Sequence, residues 1–248
     1  MIGFTLFLTG AALGSFLNVV IYRLPRKMSL LKPPSHCPLC KEKIRFYDNI
    51  PILSYIILMG RCRHCGALIP PRYPMVESIV AFSFLFGYLR YGFGFEFIGF
   101  AMLTLFLVPI AFIDLDVMLI PDVVAIPGIV VGLILAVFRG YFLQGLFGAL
   151  VGALSILVLY FVGKLLYKRE AMGLGDIRVA ALIGSFTGWA GWLVSLVIAS
   201  FLGSMYGIFA VKGLGGDLKK EIPFGPFLAI GGYVVYIWGS LILKFFQV

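Results

Sequence analysis

The chain has 248 residues, 61% of them hydrophobic and only 12% charged, with mean hydropathy +1.06 and a formal net charge of +9. Soluble domains carry about 25% charged and about 45–50% apolar residues, which excludes a water-soluble globular enzyme, a disordered chain and a collagen-like one. The composition is that of a polytopic membrane protein, whose Lys and Arg clusters report topology and contact with anionic lipid; no nucleic-acid partner is expected.

The first apolar stretch runs from Ile2 to Tyr22, and about 20 residues suffice to span a bilayer. It reads as a span rather than a signal peptide, having no basic residues before it and no small-residue cleavage site after it. A polar loop over 23–73 follows, with ten Lys and Arg, both His and all four Cys. Apolar segments resume at roughly 75–90, 97–113, 123–138, 143–166, 177–188, 190–211 and 227–246. Only Thr187, Gly188 and Gly191 separate the sixth span from the seventh, so the count is eight, or seven if those two run together. The expected fold is an all-α, polytopic membrane helix bundle of about eight spans with a small cytoplasmic, zinc-ribbon-like loop domain. Its parts are a first span (1–22), a cysteine-rich loop (23–73) and a transmembrane core (74–248).

Charge sets the orientation. With the 23–73 loop in the cytoplasm, alternation brings 164–176 and 212–226 to the same side, with Lys164, Lys168, Arg169, Lys212, Lys219 and Lys220. The opposite side receives little beyond Arg90, Arg139 and Lys244, as the positive-inside rule requires. Both termini then face outward, and Tyr88, Tyr91, Trp189 and Trp192 fall where an outer interfacial belt belongs. No internal repeat suggests a transporter built from two related halves.

Cys37-Pro-Leu-Cys40 and Cys62-Arg-His-Cys65 are two C-x-x-C knuckles 21 residues apart. Each can offer two thiolates to one tetrahedral ion, the pattern of a structural zinc site, and Lys41, Arg61 and Arg63 favour the thiolate form. Redox thiols are the alternative. Four cysteines close the shell, leaving His36 and His64 as bystanders.

Acidic residues in apolar segments are expensive and demand a role. Glu77 and Glu96 fall near span ends, where a carboxylate can reach water or complement a helix N-terminus. Asp114, Asp116 and Asp122 follow one apolar segment, and Asp176 ends Gly173-Leu-Gly-Asp176. Both clusters lie at cytoplasmic span ends and can meet. Of two carboxyls sharing a site, one keeps its proton. Such a pair can activate water and protonate a carbonyl oxygen, the chemistry of an aspartic protease. Gly173 and Gly175 allow close approach of backbone and substrate. Asp116 points to the other side of a helix, and Asp122 is expected as a helix N-cap. Ser15 and Asn18, inside the first span, suit either interhelical hydrogen bonds or substrate contact. An ion or proton-coupled transporter using the intramembrane aspartates is the competing function.

Together these motifs resemble the type IV prepilin peptidases, membrane aspartic proteases of the G-x-G-D type. The resemblance rests on Gly14-Ser-Phe-Leu-Asn-Val-Val-Ile-Tyr-Arg-Leu-Pro25, Pro34-Ser-His-Cys-Pro-Leu-Cys40, Tyr47-Asp-Asn-Ile-Pro51, Arg61-Cys-Arg-His-Cys65 and Arg72-Tyr-Pro74. Ile113-Asp-Leu-Asp116 with Ile120-Pro-Asp122, and Gly173-Leu-Gly-Asp176, complete it. It implies that Asp114 and Asp176 are the catalytic aspartates. The implied substrates are prepilins or pseudopilins, cut at the cytoplasmic face of the inner membrane after the glycine that ends a basic leader. It also implies N-methylation of the new terminus from S-adenosylmethionine, an activity that accompanies the cysteine loop. Members with an acidic residue soon after Arg-Leu-Pro differ from this chain, which has Arg26-Lys-Met-Ser29 there.

Overall fold

The computed structural model describes residues 1–32, 34–167, 173–214 and 222–245. Helices dominate, and among the described residues extended pairing is limited to two isolated bridges, His36 with Lys43 and Arg61 with Leu68. The chain divides into two compact units, Met1–Phe97 and Ile98–Val248.

The first unit is built on a helical hairpin. Helix α1 (Ile2–Arg23) packs antiparallel to α3 (Arg72–Tyr91). Its register is fixed by small residues: a Cβ at Gly10 meets the backbone at Val80 and Ala81, and one at Gly14 meets Glu77. Close backbone approach is how membrane helices associate without a hydrophobic drive between them. The loop joining the two carries a 3₁₀ turn (Phe46–Asn49), the short α2 (Leu53–Ile57) and the two cysteine knuckles.

The second unit holds most of α4 (Phe95–Val117), then α5 (Asp122–Phe138), α6 (Phe142–Tyr167), α7 (Leu174–Leu214) and α8 (Gly225–Phe245). At 41 residues α7 would measure about 60 Å if straight, twice the hydrocarbon core. It is not straight. Gly188 adopts φ 73 and ψ 177, a conformation open to glycine, and reverses the chain. Packing against α8 shows the reversal: the Cβ position of Gly231 meets Ser195, and that of Gly232 next to it meets Ile183. Residues on both sides of Gly188 thus lie at one level of α8, as two arms of a hairpin. The separation of 177–188 from 190–211 is therefore a turn, at the glycine the sequence offered.

Ile2–Arg23, Phe95–Val117, Phe142–Leu166, Leu174–Phe209 and Gly225–Ile242 are long and apolar enough to cross a membrane. The apolar α5 is shorter, at 17 residues. The expected segments at 75–90 and 123–138 coincide with α3 and α5. One belt residue is misplaced: Trp192 is fully buried and donates its indole N–H to Ser155 Oγ at 2.9 Å. An indole inside a bundle needs such a partner, and α6 supplies it. Of the expected inner-loop charges, Lys168, Arg169, Lys219 and Lys220 lie outside the described residues.

Candidate active site and metal centre

Two aspartates meet in the second unit. Asp114 lies in the last turn of α4, a helix closed by Met118 at φ 51, whose N–H donates to the Asp114 carbonyl. Asp176 lies in the first turn of α7, with its N–H on the Gly173 carbonyl. Both are 5% exposed and near enough for Asp114 to act electrostatically on Asp176. Asp116, two residues from Asp114, is exposed, as the helical period requires. The rare combination is two ionisable groups withdrawn from water within one helix-lined site.

The N-terminus of α8 completes the arrangement. Gly225 N–H, the first of that helix, donates to Asp114 Oδ2 at 2.8 Å. Such N–H groups have no partner within their helix and carry its positive end. An N–H bonds to a lone pair, so Oδ2 of Asp114 accepts here, and the contact favours a proton shared elsewhere in the pair. A Cβ at position 225 would come within 2.7 Å of that oxygen. Gly175 packs against Ile120, its Cβ position 2.8 Å from the Ile120 Cβ, and so joins the start of α7 to the turn that follows α4; Gly173 meets nothing tighter than ordinary contact.

Asp122 differs from expectation. Helix α5 is capped by Pro121 without a side-chain bond, and Asp122 is its first residue. There it pairs with Arg178 Nη1 at 2.7 Å, tying the start of α5 to the start of α7 two residues beyond Asp176. Neither Arg178 nor Gly225 stands out in the sequence, since each acquires its role from a helix distant in the chain.

In the first unit all four cysteines are free thiols, and their Sγ atoms lie within 4.8 Å of one another. Cys37 Sγ is 3.8 Å from Cys65 Sγ, and Cys40 Sγ is 4.0 Å from Cys62 Sγ. A tetrahedral ion with bonds of about 2.3 Å requires sulfur–sulfur edges of about 3.8 Å, so the cluster fits a metal ion. The knuckles share one local plan. Cys37 N–H bonds to the Glu42 carbonyl and Cys62 N–H to the Ala67 carbonyl. The residue after each second cysteine, Lys41 or Gly66, has positive φ. Thiols this close lose protons as a set. Backbone N–H groups of Cys65 and then His64 hold Cys62 down at about 6. Arg63 grips Asp48 through both Nε and Nη2 and holds that carboxyl below its usual range.

Of the two uses expected for Glu77, water or a helix N-terminus, the structure shows the second, at Ile52, the N-cap of α2. Rather than reaching water, it is 7% exposed and accepts the Ile52 N–H at 2.7 Å. Asn18 donates to the Tyr73 carbonyl across the α1–α3 seam, and buried Arg23 donates to the carbonyl of Ser29.

Helices long and apolar enough to cross a membrane, with two buried aspartates at their ends, are an arrangement suited to a membrane aspartic protease. The bacterial peptidase A24 N-terminal domain family matches residues 8–91, and the type IV leader peptidase family matches 101–208. Prepilin leader peptidase/N-methyltransferases of Pseudomonas putida and Pseudomonas aeruginosa are 35% and 36% identical to the chain. Those alignments cover 93% and 96% of it, and 88% and 90% of the relatives. The Myxococcus xanthus protein of that name is 41% identical over 85% of the chain and 63% of its own length. No solved structure matches. The chain belongs to the type IV leader peptidase family, and nothing among these relatives supports a transporter.

Proposed function

We propose that the chain removes the basic leader from type IV prepilins or pseudopilins and then methylates the new N-terminal amine. The carrying observation is the buried Asp114–Asp176 pair, in a chain similar over nearly its whole length to prepilin leader peptidase/N-methyltransferases. Asp114, held as an acceptor by Gly225 N–H, takes a proton from the attacking water. Asp176 supplies a proton to the scissile carbonyl oxygen, and the amine leaves with a proton returned from the pair. The site lies at the cytoplasmic face of the inner membrane, the side that the distribution of Lys and Arg along the sequence assigns to these span ends.

Cys37, Cys40, Cys62 and Cys65 hold one zinc ion, which when bound fixes the fold of a loop too polar to build its own core. That loop, residues 23–73, is the methyltransferase-associated region, with S-adenosylmethionine as methyl donor; residues 74–248 form the peptidase core. The test is to incubate purified protein with a prepilin and the donor, and to weigh the product. The expected product lacks its leader and carries one added methyl group. An uncut substrate refutes the peptidase reading, and a cut but unmethylated one refutes the methyltransferase reading.

A further inference from the structure

The α1–α3 seam contains a second polar centre remote in sequence from the aspartates. Glu77 is buried at 7% exposure, and among the described residues no cation pairs with it. Its neighbours are neutral donors: the Ile52 N–H on Oε2, and the Ser15 hydroxyl. A carboxylate has about four acceptor positions, so these leave acceptor capacity unused. One helical turn along the seam, Asn18 is 2% exposed. Its Nδ2 is committed to the Tyr73 carbonyl, which orients the amide, and its Oδ1 meets no donor. The backbone around Glu77 is held rigidly, because Gly14 of α1 approaches it to contact distance. A buried carboxylate without a counter-charge and an orphaned amide oxygen are each costly, and they share one deficit: each has acceptor capacity that no donor fills, and no positive charge faces the carboxylate.

We propose that Glu77 and Asn18 form a binding site for a primary ammonium group of the substrate. An ammonium carries three donors and no acceptor, the complement of what the seam leaves open. The donor already on Oε2 is itself held at a cost. Ile52, whose N–H occupies Oε2, has φ 64 and ψ −53, and the Leu53 N–H closes onto the Pro51 carbonyl at 2.6 Å. This is a γ-turn of the positive-φ kind, rare and strained, and more so for a β-branched residue. An arriving ammonium exchanges the strained neutral contact for a charge-assisted bond.

Two sources present this chemistry: the N-terminal amine freed by cleavage, and a lysine side chain of the leader. For the first, the inference rests on the methyltransferase reading, and Glu77 also accepts the proton that must leave the ammonium. The nitrogen lone pair then forms the N–C bond while the donor's C–S bond breaks and its electron pair stays on sulfur.

The experiment uses full-length Glu77→Gln and Asn18→Val with two substrates, a pre-cleaved pilin plus S-adenosylmethionine and an uncut prepilin with lysine in its leader. Glu77→Gln keeps an oxygen for Ile52 and loses the charge, and metal content and melting temperature report its folding. Should it fail to fold, Asn18→Val carries the test. Loss of kcat/KM for methylation of pre-cleaved pilin, on the order of 10- to 100-fold, supports the site and assigns it to the freed terminus. A comparable rise in KM for the uncut prepilin, with kcat retained, supports it and assigns it to leader lysine. Constants within about twofold of the parent for both substrates in a folded variant overturn it. A parent protein that cuts but never methylates refutes the methyltransferase reading alone, and the site is then judged on KM for cleavage.

Discussion

At the scale of single residues, chemistry follows from which oxygen can take a proton. Asp114→Asn or Asp176→Asn removes one member of the pair, and cleavage of a prepilin falls on the order of 10²–10⁴-fold while the protein still inserts. Asp116→Asn, at an exposed position, leaves the rate within about threefold. Turnover at the parent rate by either of the first two variants sinks the assignment. Gly225→Val tests the backbone donor: its Cβ falls on Asp114 Oδ2 and displaces the carboxyl by a fraction of an ångström. Misplacement of that order costs up to about 10²-fold, expected in kcat rather than KM. Asp48 offers a pH test outside the membrane. Its hydrogen bond and charge contact with Arg63 depress its folded-state pKa. Its contribution to loop stability is therefore present above the unfolded value of about 3.9 and lost as pH falls through the folded value. A carboxylate-carbon titration should show a midpoint below about 3.9, and Arg63→Gln should move it upward; no movement refutes the pairing.

At the scale of elements, the apolar segments were legible because most are long uninterrupted runs bounded by charge or glycine, and the two C-x-x-C pairs because four like ligands at short spacing have few other uses. Asp114 and Asp176 were legible as the expensive carboxyls of apolar segments. The sequence carried less information wherever a residue's role depends on a distant helix. Trp192 looked interfacial by its place at a span end, yet α6 offers Ser155 to its indole. Glu77 read as serving either water or a helix N-terminus near the start of α3, and the helix proves to be α2, whose N-cap at Ile52 folds back over it. Asp122 had the local signature of a cap, and Arg178 took it as a partner. That ion pair is open to solvent, 39% and 51% by side chain, so it contributes about 0.2–1 kcal/mol. Arg178→Gln should accordingly slow cleavage by no more than about fivefold; a loss beyond about 100-fold would give Arg178 a role in the reaction itself.

At the scale of the whole molecule, the two compact units carry different chemistry, the thiols within residues 1–97 and the aspartates within 98–248. The first unit's loop has little core of its own, with Phe46, Ile56, Ile57 and Met59 exposed, so under the proposed zinc site a bound ion would supply what its packing lacks. The second unit depends on helices packed along glycine seams, such as Gly152 of α6 against the Ala180 backbone of α7. Loss of one thiolate therefore disorders the loop without dismantling the aspartate site. Cys62→Ser should release the metal by elemental analysis and lower methylation of a pre-cleaved pilin on the order of tenfold or more, with cleavage of a prepilin reduced less. Asp176→Asn should stop cleavage and, with it, methylation of a prepilin, because an uncut chain presents no new amine; given a pre-cleaved pilin, it should methylate normally. That last comparison decides between one coupled machine and two separable ones. If Asp176→Asn fails on the pre-cleaved pilin while retaining its metal, the aspartates also serve methyl transfer. If Cys62→Ser stops cleavage and spares methylation, the roles of the two units are reversed.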